Sequence, residues 1–222
     1  MKNIKGKIGL TLLLLIILLG ATLVASYFYF RSQMREGIAD ALSTSQLLSA
    51  INPEGSTLQI VAFIDYADDV TYKIYQTMKQ AVEADGHVRV VLRPIPREGD
   101  SYYMALFMDA AFRLDTAKAK MLHDKMLARD YPPTFKYMKE VASELGMSVA
   151  KIEQEAKTEA TRQNITDNVL LFRKIGFQTA PSFVIGHKGY KPNRENIAGI
   201  NAWMLMMDDA RTHGILSASS KP

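Results

Sequence analysis

Cysteine is absent from this chain of 222 residues. Without it no disulfide can form, so a hydrophobic core has to stabilise the fold. The absence also excludes every reaction that begins with a thiolate attacking a sulfur atom. A lipid anchor on an N-terminal cysteine is excluded for the same reason.

Basic and acidic side chains nearly balance in the part of the chain that follows the N-terminal lysines. Three of the 27 basic residues (Lys2, Lys5 and Lys7) precede all other charged residues, which leaves 24 basic against 23 acidic side chains. A chain with this balance has no basic surface of the kind that nucleic acids select, so we expect no nucleic-acid partner.

The sequence shows no grouping of catalytic or metal-binding side chains. None of the four histidines is spaced like a zinc ligand from another, and we expect all of them at surface or turn positions. They are His87, His123, His187 and His213. No serine is accompanied by the histidine and acid of a hydrolase. The sequence therefore indicates neither a metal nor a cofactor.

A long uncharged segment occupies residues 8–30. As a helix it would span roughly 34 Å, which is enough for the core of a bilayer. The lysines before it place the N-terminus in the cytoplasm, and the aromatic residues 27–30 suit the far interface. The alternatives are a cleaved signal peptide, whose apolar region is usually shorter, and a buried helix of a soluble protein. The length favours an uncleaved single-pass anchor.

A short amphipathic stalk is predicted next, at residues 31–56. Met34, Ile38 and Leu42 follow each other at helical spacing, and turn residues end the segment. The apolar side of this stalk can pack on its own domain or, through residues 31–50, on a second copy in a homodimer. The sequence leaves both open.

The rest of the chain predicts an α/β fold. Short apolar runs at 58–64 and 88–92 read as buried strands on either side of a helix at 70–84, which indicates a parallel pair with a right-handed crossover. A strand at 182–185, a partner strand beginning at Tyr190 and a helix at 194–211 close the chain. Four helices are predicted in between, at 101–114, 116–128, 134–145 and 148–174.

This order of elements is similar to a thioredoxin-like fold with an inserted α-helical domain. The predicted division is 1–30 for the cytoplasmic tip and anchor, 31–56 for the stalk, 57–98 for the first part of the thioredoxin-like domain, 99–174 for the inserted helices, 175–214 for the second part and 215–222 for a disordered tail.

Two short segments carry a more specific resemblance. The run Phe-Ile-Asp-Tyr at 63–66 and the run Thr-Ala-Pro-Ser-Phe-Val-Ile at 179–185 resemble the active-site frame of the DsbA-like thiol–disulfide oxidoreductases. The resemblance extends over residues 55–213. It implies a periplasmic location, beyond a bacterial inner membrane, and a cis proline at Pro181.

The chain departs from that family at three positions. Asp68 stands where the resemblance places the first active-site cysteine, and Thr71 stands at the second. Ala62 replaces a buried glutamate that carries protons in many members. Because all three changes remove the same chemistry, the sequence predicts natural loss of redox function and no enzymatic activity.

The remaining function that we predict is binding. The candidate partner site is the former active-site surface, formed by Asp68, Asp69, Val70, Thr71, Tyr72, Ala180, Pro181 and Ser182. The protein would be a non-redox scaffold component of the cell envelope. A secretion or conjugation apparatus is suggested by analogy alone, because such systems often contain relatives of these oxidoreductases.

Two alternatives stay open at this stage. One is a periplasmic chaperone or peptide-binding module that uses the groove at the cis proline, which requires an exposed apolar patch around Val70, Tyr72, Pro181 and Phe183. The other is a metal-dependent enzyme built on the acids at 65, 68 and 69, although interaction of these carboxylates with a helix N-terminus explains them as well.

Overall fold

The computed structural model describes residues 2–43, 49–51, 53–129 and 131–218. Its strands form one five-stranded sheet in the order β1-β3-β2-β4-β5. In chain order the elements are α1 (Lys2–Ser43), β1 (Ser49–Ile51), β2 (Leu58–Ile64), α2 (Thr71–Asp85), β3 (Val88–Pro94), α3 (Asp100–Leu114), α4 (Thr116–Leu127), α5 (Phe135–Glu144), α6 (Val149–Glu155), α7 (Glu159–Lys174), β4 (Ser182–Ile185), β5 (Lys188–Tyr190) and α8 (Ile200–Ala218).

The centre of the sheet is formed by the strands that the apolar runs predict. β2 and β3 are parallel, and β4 pairs with the other edge of β2 in the antiparallel sense. Helices cover both faces, since Ile60 and Ala62 pack with α2 and α8 whereas Val61 and Phe63 pack with α1 and α7. Coverage on both faces explains why these strands read as continuous apolar runs.

The predicted anchor and stalk form one continuous helix, α1. From Leu12 onward it is long and apolar enough to cross a membrane, and none of its most apolar window is buried. This exposure argues against a buried helix of a soluble protein, because such a helix would be covered by the core.

The last turns of α1 pack on the chain's own domain. Ile38 and Ala41 are buried in a cluster with Phe63, and Lys174 Nζ lies 2.9 Å from Asp40 Oδ2. Gly37 permits the close approach, because a Cβ there would lie 2.9 Å from Ile175 Cγ1. The homodimer through residues 31–50 stays a prediction, and residues 44–48 of it lie outside the described part.

Element boundaries differ from the sequence predictions in three internal regions. The strand predicted to begin at Tyr190 is β5, which spans Lys188–Tyr190 and ends there. The stalk helix ends at Ser43, and residues 49–51 form a strand that covers the edge of β3. The long helix predicted at 148–174 is two helices, because Thr158 is extended and its Oγ1 accepts a hydrogen bond from Thr161 N, which starts α7.

The C-terminal helix also differs, since it begins at Ile200 and not at 194. Asn193 Oδ1 accepts the backbone N–H groups of Glu195 and Asn196, and this local turn competes with helix formation. α8 extends to Ala218, beyond the predicted domain boundary at 214, so a disordered tail from 215 is wrong for its first residues. Residues 219–222 lie outside the described part.

The prediction of a surface position is wrong for His123, which is fully buried. Its Nδ1 lies 2.8 Å from the Tyr66 hydroxyl, and its ring meets that of Tyr75 edge to face at 4.9 Å. Burial lowers the pKa of His123 to about 4. The spacing of Ala119, Leu122 and His123 on one face of α4 is the sequence signal that could have revealed it. The other three histidines are exposed, as predicted.

Candidate functional site

The sheet brings the two predicted site segments together. β2 and β4 are neighbours, and Phe63 at the end of β2 is paired with Ser182 at the start of β4. The chain leaving β2 therefore passes beside the loop that enters β4. In that loop the peptide bond from Ala180 to Pro181 is cis, as the resemblance implied.

Asp68 lies in the turn that leads into α2, two residues before the N-cap Val70. Its Oδ1 accepts hydrogen bonds from the backbone N–H groups of Val70 and Thr71, both at 3.0 Å. Only 4% of the side chain is exposed. The partial positive charge of a helix N-terminus favours a carboxylate at this position.

A hydrogen bond joins the two positions at which the resemblance places the active-site cysteines, 68 and 71. Thr71 is fully buried, and its Oγ1 donates to Asp68 Oδ1 at 3.2 Å. Ala62, at the position where the resemblance implied a buried glutamate, is also fully buried. The arrangement keeps the spacing of a dithiol site and provides no group that can exchange a disulfide.

Arg194 joins this helix start to the cis-proline loop. One guanidinium nitrogen lies 2.9 Å from Asp68 Oδ2 and 2.6 Å from Asp69 Oδ1, and another donates to the Ala180 carbonyl at 2.7 Å. Sequence reasoning missed this residue, because it lies 125 residues from Asp69 and its run was predicted to be helical. No local signal in the sequence indicates the contact.

A second arginine neutralises the buried acid that precedes the helix. Asp65 Oδ1 accepts hydrogen bonds from Ala67 N at 2.9 Å and Ser101 Oγ at 2.8 Å, while Oδ2 lies 2.7 Å from Arg97 Nε. The hydrogen bond to Asp65 raises the pKa of Arg97. Each buried carboxylate of the cluster is therefore matched by a guanidinium.

This pairing bears on the proposed metal-dependent enzyme. The oxygens of Asp65 and Asp68 are already engaged by N–H, O–H and guanidinium donors. Within the described ranges no three histidine, aspartate or glutamate side chains converge as metal ligands would. The geometry thus gives the metal alternative no support.

A cleft of about 660 Å³ opens beside Asp68, between α7 and the loops that follow β2 and β3 and precede β4. We name it the arginine cleft, because three guanidinium groups line it. Arg97 and Arg194 are paired with the acids described above, whereas Arg173 has no ion pair within the described ranges. The full lining is Asp65, Asp68, Ile95, Pro96, Arg97, Val169, Phe172, Arg173, Phe177, Gln178, Thr179, Ala180 and Arg194.

The predicted binding residues differ in their exposure to solvent, and only some of them line the arginine cleft. Asp68 and Ala180 line the arginine cleft, Asp69 is exposed, and Val70 is half-buried. The others, Thr71, Tyr72, Pro181 and Ser182, are buried.

The exposed apolar patch that the chaperone alternative requires is therefore not formed. Tyr72 is 6% exposed, Phe183 is fully buried, and Pro181 is also buried. Phe183 belongs to β4, which is flanked by strands on both edges, and its ring packs edge to face on Trp203 of α8.

Comparison with known proteins agrees with this geometry. The sequence profile of the thioredoxin family matches residues 60–201. No curated protein is significantly similar to the chain in sequence.

Three solved structures illustrate the likeness in fold. The thiol-disulfide exchange protein alpha-DsbA2 from Wolbachia pipientis is 20% identical with a TM-score of 0.68, and the match covers 83% of this chain and 97% of that one. Proteus mirabilis ScsC in a transitional conformation is 16% identical with a TM-score of 0.67, covering 96% and 97%. Oxidised BdbD from Bacillus subtilis is 14% identical with a TM-score of 0.62, covering 73% and 91%.

These findings confirm the fold class and the family resemblance predicted from the sequence. The chain belongs to the thioredoxin family, carries the inserted helices α3 to α7 between β3 and β4, and contains no cysteine.

Proposed function

We propose that this protein is a membrane-anchored, thioredoxin-like binding component of the cell envelope without redox activity. The observation that carries the proposal is the hydrogen bond from Thr71 Oγ1 to Asp68 Oδ1, at the two positions where relatives have sulfur. A hydroxyl and a carboxylate cannot form the mixed disulfide through which dithiols react. What the site retains is a shaped and charged surface.

Ion pairs hold that surface in one arrangement. Asp68 is almost fully buried, so removing Arg194 would leave this carboxylate with only the longer contact to Arg97, at 3.6 Å, which is unfavourable. Arg194 also occupies the Ala180 carbonyl beside the cis proline. A peptide that paired with this loop would first have to displace Arg194, which disfavours the groove of the chaperone alternative.

The arginine cleft suggests the chemistry of the partner. Guanidinium groups bind carboxylates through two parallel hydrogen bonds, and Arg173 is not engaged by any described acid. Arg97 is 64% exposed, so its remaining N–H donors are accessible. An acidic segment of a partner protein is the ligand that this lining fits best.

The proposed cellular location of the folded domain is based on the charge and length of α1. An uncharged helix preceded by lysines orients the N-terminus towards the cytoplasm, which would place the folded domain in the periplasm at the inner membrane of a bacterium. A homodimer through residues 31–50 would use the outer side of α1, because Ile38 and Ala41 pack on the chain's own domain. Membership of a secretion or conjugation apparatus rests on analogy between families.

Photo-crosslinking in cells tests the docking surface. A benzophenone amino acid replaces Gln178, which lines the arginine cleft and is exposed. We expect an ultraviolet-dependent adduct with one defined envelope protein. The adduct should disappear when Arg173→Glu reverses the charge in the cleft, because the acidic segment would then be repelled.

Lys125→Glu serves as the matched control. Lys125 is exposed on α4, outside the arginine cleft, and the substitution changes the net charge in the same direction. The proposal fails if no adduct forms at Gln178, or if both charge reversals reduce it equally.

A further inference from the structure

A second cleft lies in the inserted helices, away from the former active site. It has a volume of about 460 Å³ and shares no residue with the arginine cleft. Its lining comes from α3, α6, the turn between α6 and α7, the start of α5 and the start of α7. The residues are Tyr102, Tyr103, Leu106, Phe107, Phe135, Glu153, Ala156, Lys157 and Arg162. We name it the aromatic cleft.

One wall of the aromatic cleft consists of stacked rings that remain accessible. Tyr103 and Phe135 stack with their centroids 5.9 Å apart and their planes 24° apart, and Phe107 meets Phe135 edge to face. Tyr103 is 56% exposed and Tyr102 is 39% exposed. Covering these rings would remove apolar surface from water, which is favourable in proportion to the area covered.

The rim of the aromatic cleft is cationic. Lys157 and Arg162 have no ion-pair partner in the described part of the chain. The only acid of the lining, Glu153, lies 3.4 Å from Lys139 Nζ, whose ammonium group is 4.9 Å from the centre of the Phe135 ring. Because Lys139 compensates Glu153, the rim keeps the two positive charges of Lys157 and Arg162.

We propose that the aromatic cleft binds a small amphiphilic anion. The flat apolar body of the ligand lies against Tyr103 and Phe135, and its carboxylate pairs with Lys157 and Arg162. The volume is within the range of clefts that bind small molecules, about 300–1,000 Å³. Charge complementarity excludes cationic ligands, since the rim offers them only a compensated acid.

Binding of 2-naphthoate tests the proposal, with 2-naphthamide as a neutral probe of the same shape. The full chain in phosphatidylcholine nanodiscs is titrated by saturation-transfer NMR, and empty nanodiscs supply the blank. We expect saturable binding of the naphthoate and weaker binding of the amide. Affinity should fall about tenfold in Tyr103→Ala through the loss of one ring contact. It should fall about a hundredfold in the double variant Lys157→Gln/Arg162→Gln through the loss of two charge-assisted hydrogen bonds.

Tyr131→Ala is the matched control. Tyr131 is 60% exposed and lies outside the aromatic cleft, so its removal should leave the affinity unchanged. The proposal is overturned if naphthoate does not bind saturably, if the amide binds as tightly, or if Tyr131→Ala weakens binding as much as Tyr103→Ala. The result does not depend on the arginine cleft, because the two sites are separate.

Discussion

Acidification should destabilise this protein through His123. The imidazole is fully buried, with Nδ1 beside the Tyr66 hydroxyl and Nε2 without a described hydrogen-bond partner. Burial lowers its pKa from 6.5 to about 4, an effect that the charge of Lys79 strengthens and that of Asp124 opposes. A proton added to this ring would create a charge that the core cannot solvate.

The sign and size of the effect follow from linkage. In the unfolded chain His123 binds its proton near pH 6.5, whereas in the folded chain it does so only near pH 4. Above pH 6.5 the imidazole is neutral in both states, and the full free energy of unfolding is retained. As the pH decreases towards 4, the unfolded chain binds a proton that the folded chain does not, so the free energy of unfolding falls. The free energy of unfolding should decrease by about 3 kcal/mol over that window from this residue alone.

The assay uses Trp203, the single tryptophan of the chain. It is fully buried, and its Nε1 donates to Thr77 Oγ1 at 3.1 Å, so its fluorescence reports unfolding of the core. Urea unfolding of the full chain in dodecyl maltoside is measured at about pH 7 and about pH 4. The control is His123→Gln, which can still bond Tyr66 but does not titrate.

The difference between the two proteins isolates the histidine, because the carboxylates titrate in both. Wild type should lose about 3 kcal/mol more than His123→Gln between the two pH values. Equal losses would refute the assignment of the acid sensitivity to this buried imidazole.

Three further predictions concern single contacts, each measured by the same fluorescence assay. Gly37→Ala should lower the free energy of unfolding by about 1–3 kcal/mol, because its Cβ would overlap a neighbouring side chain. Gly20→Ala is the control and should have no measurable effect, because a Cβ at Gly20 would meet nothing within 4 Å. Equal effects would show that α1 does not pack closely on the domain at Gly37. Asp68→Ala should lower the free energy of unfolding by about 3 kcal/mol, through loss of the hydrogen bonds to the first N–H groups of α2 and of the arginine pair. Asp68→Asn keeps an acceptor for those N–H groups and should cost less. The reverse order would contradict this role of Asp68. Arg211→Met should lower the free energy of unfolding at neutral pH, because Arg211 lowers the pKa of Asp85. The stabilisation from this ion pair is present above the ordinary pKa of 3.8 and is lost as the pH falls through the lowered value. A loss of stability in Arg211→Met that persists fully at about pH 2 would argue against the ion pair.

Much of the fold could be predicted from local patterns. The predicted strand at 58–64 agrees with β2, and the strands at 88–92 and 182–185 agree with β3 and β4 within two residues. These runs were readable because a strand covered on both faces is apolar throughout. β1 was missed, since three residues at a sheet edge are extended only because β3 offers them a pairing partner.

Only part of the candidate site could be predicted from the sequence. Asp68 and Thr71 could be located by their spacing after β2, and the cis peptide bond at Pro181 by the segment that contains it. The partners that decide their chemistry, Arg97 and Arg194, could not be located in this way. An arginine in an irregular segment has no local pattern that indicates which carboxylate it will meet.

The sequence by itself determined that this thioredoxin-like chain has no thiol with which to exchange a disulfide, because it contains no cysteine. It also determined the order of the central elements β2, α2, β3 and β4, since apolar runs and periodicity report burial locally. The tertiary structure decided that Arg194 bridges Asp68 and the cis-proline loop and that His123 lies in the core. Both depend on contacts between residues far apart in the chain, which form only once the sheet and its helices have packed together.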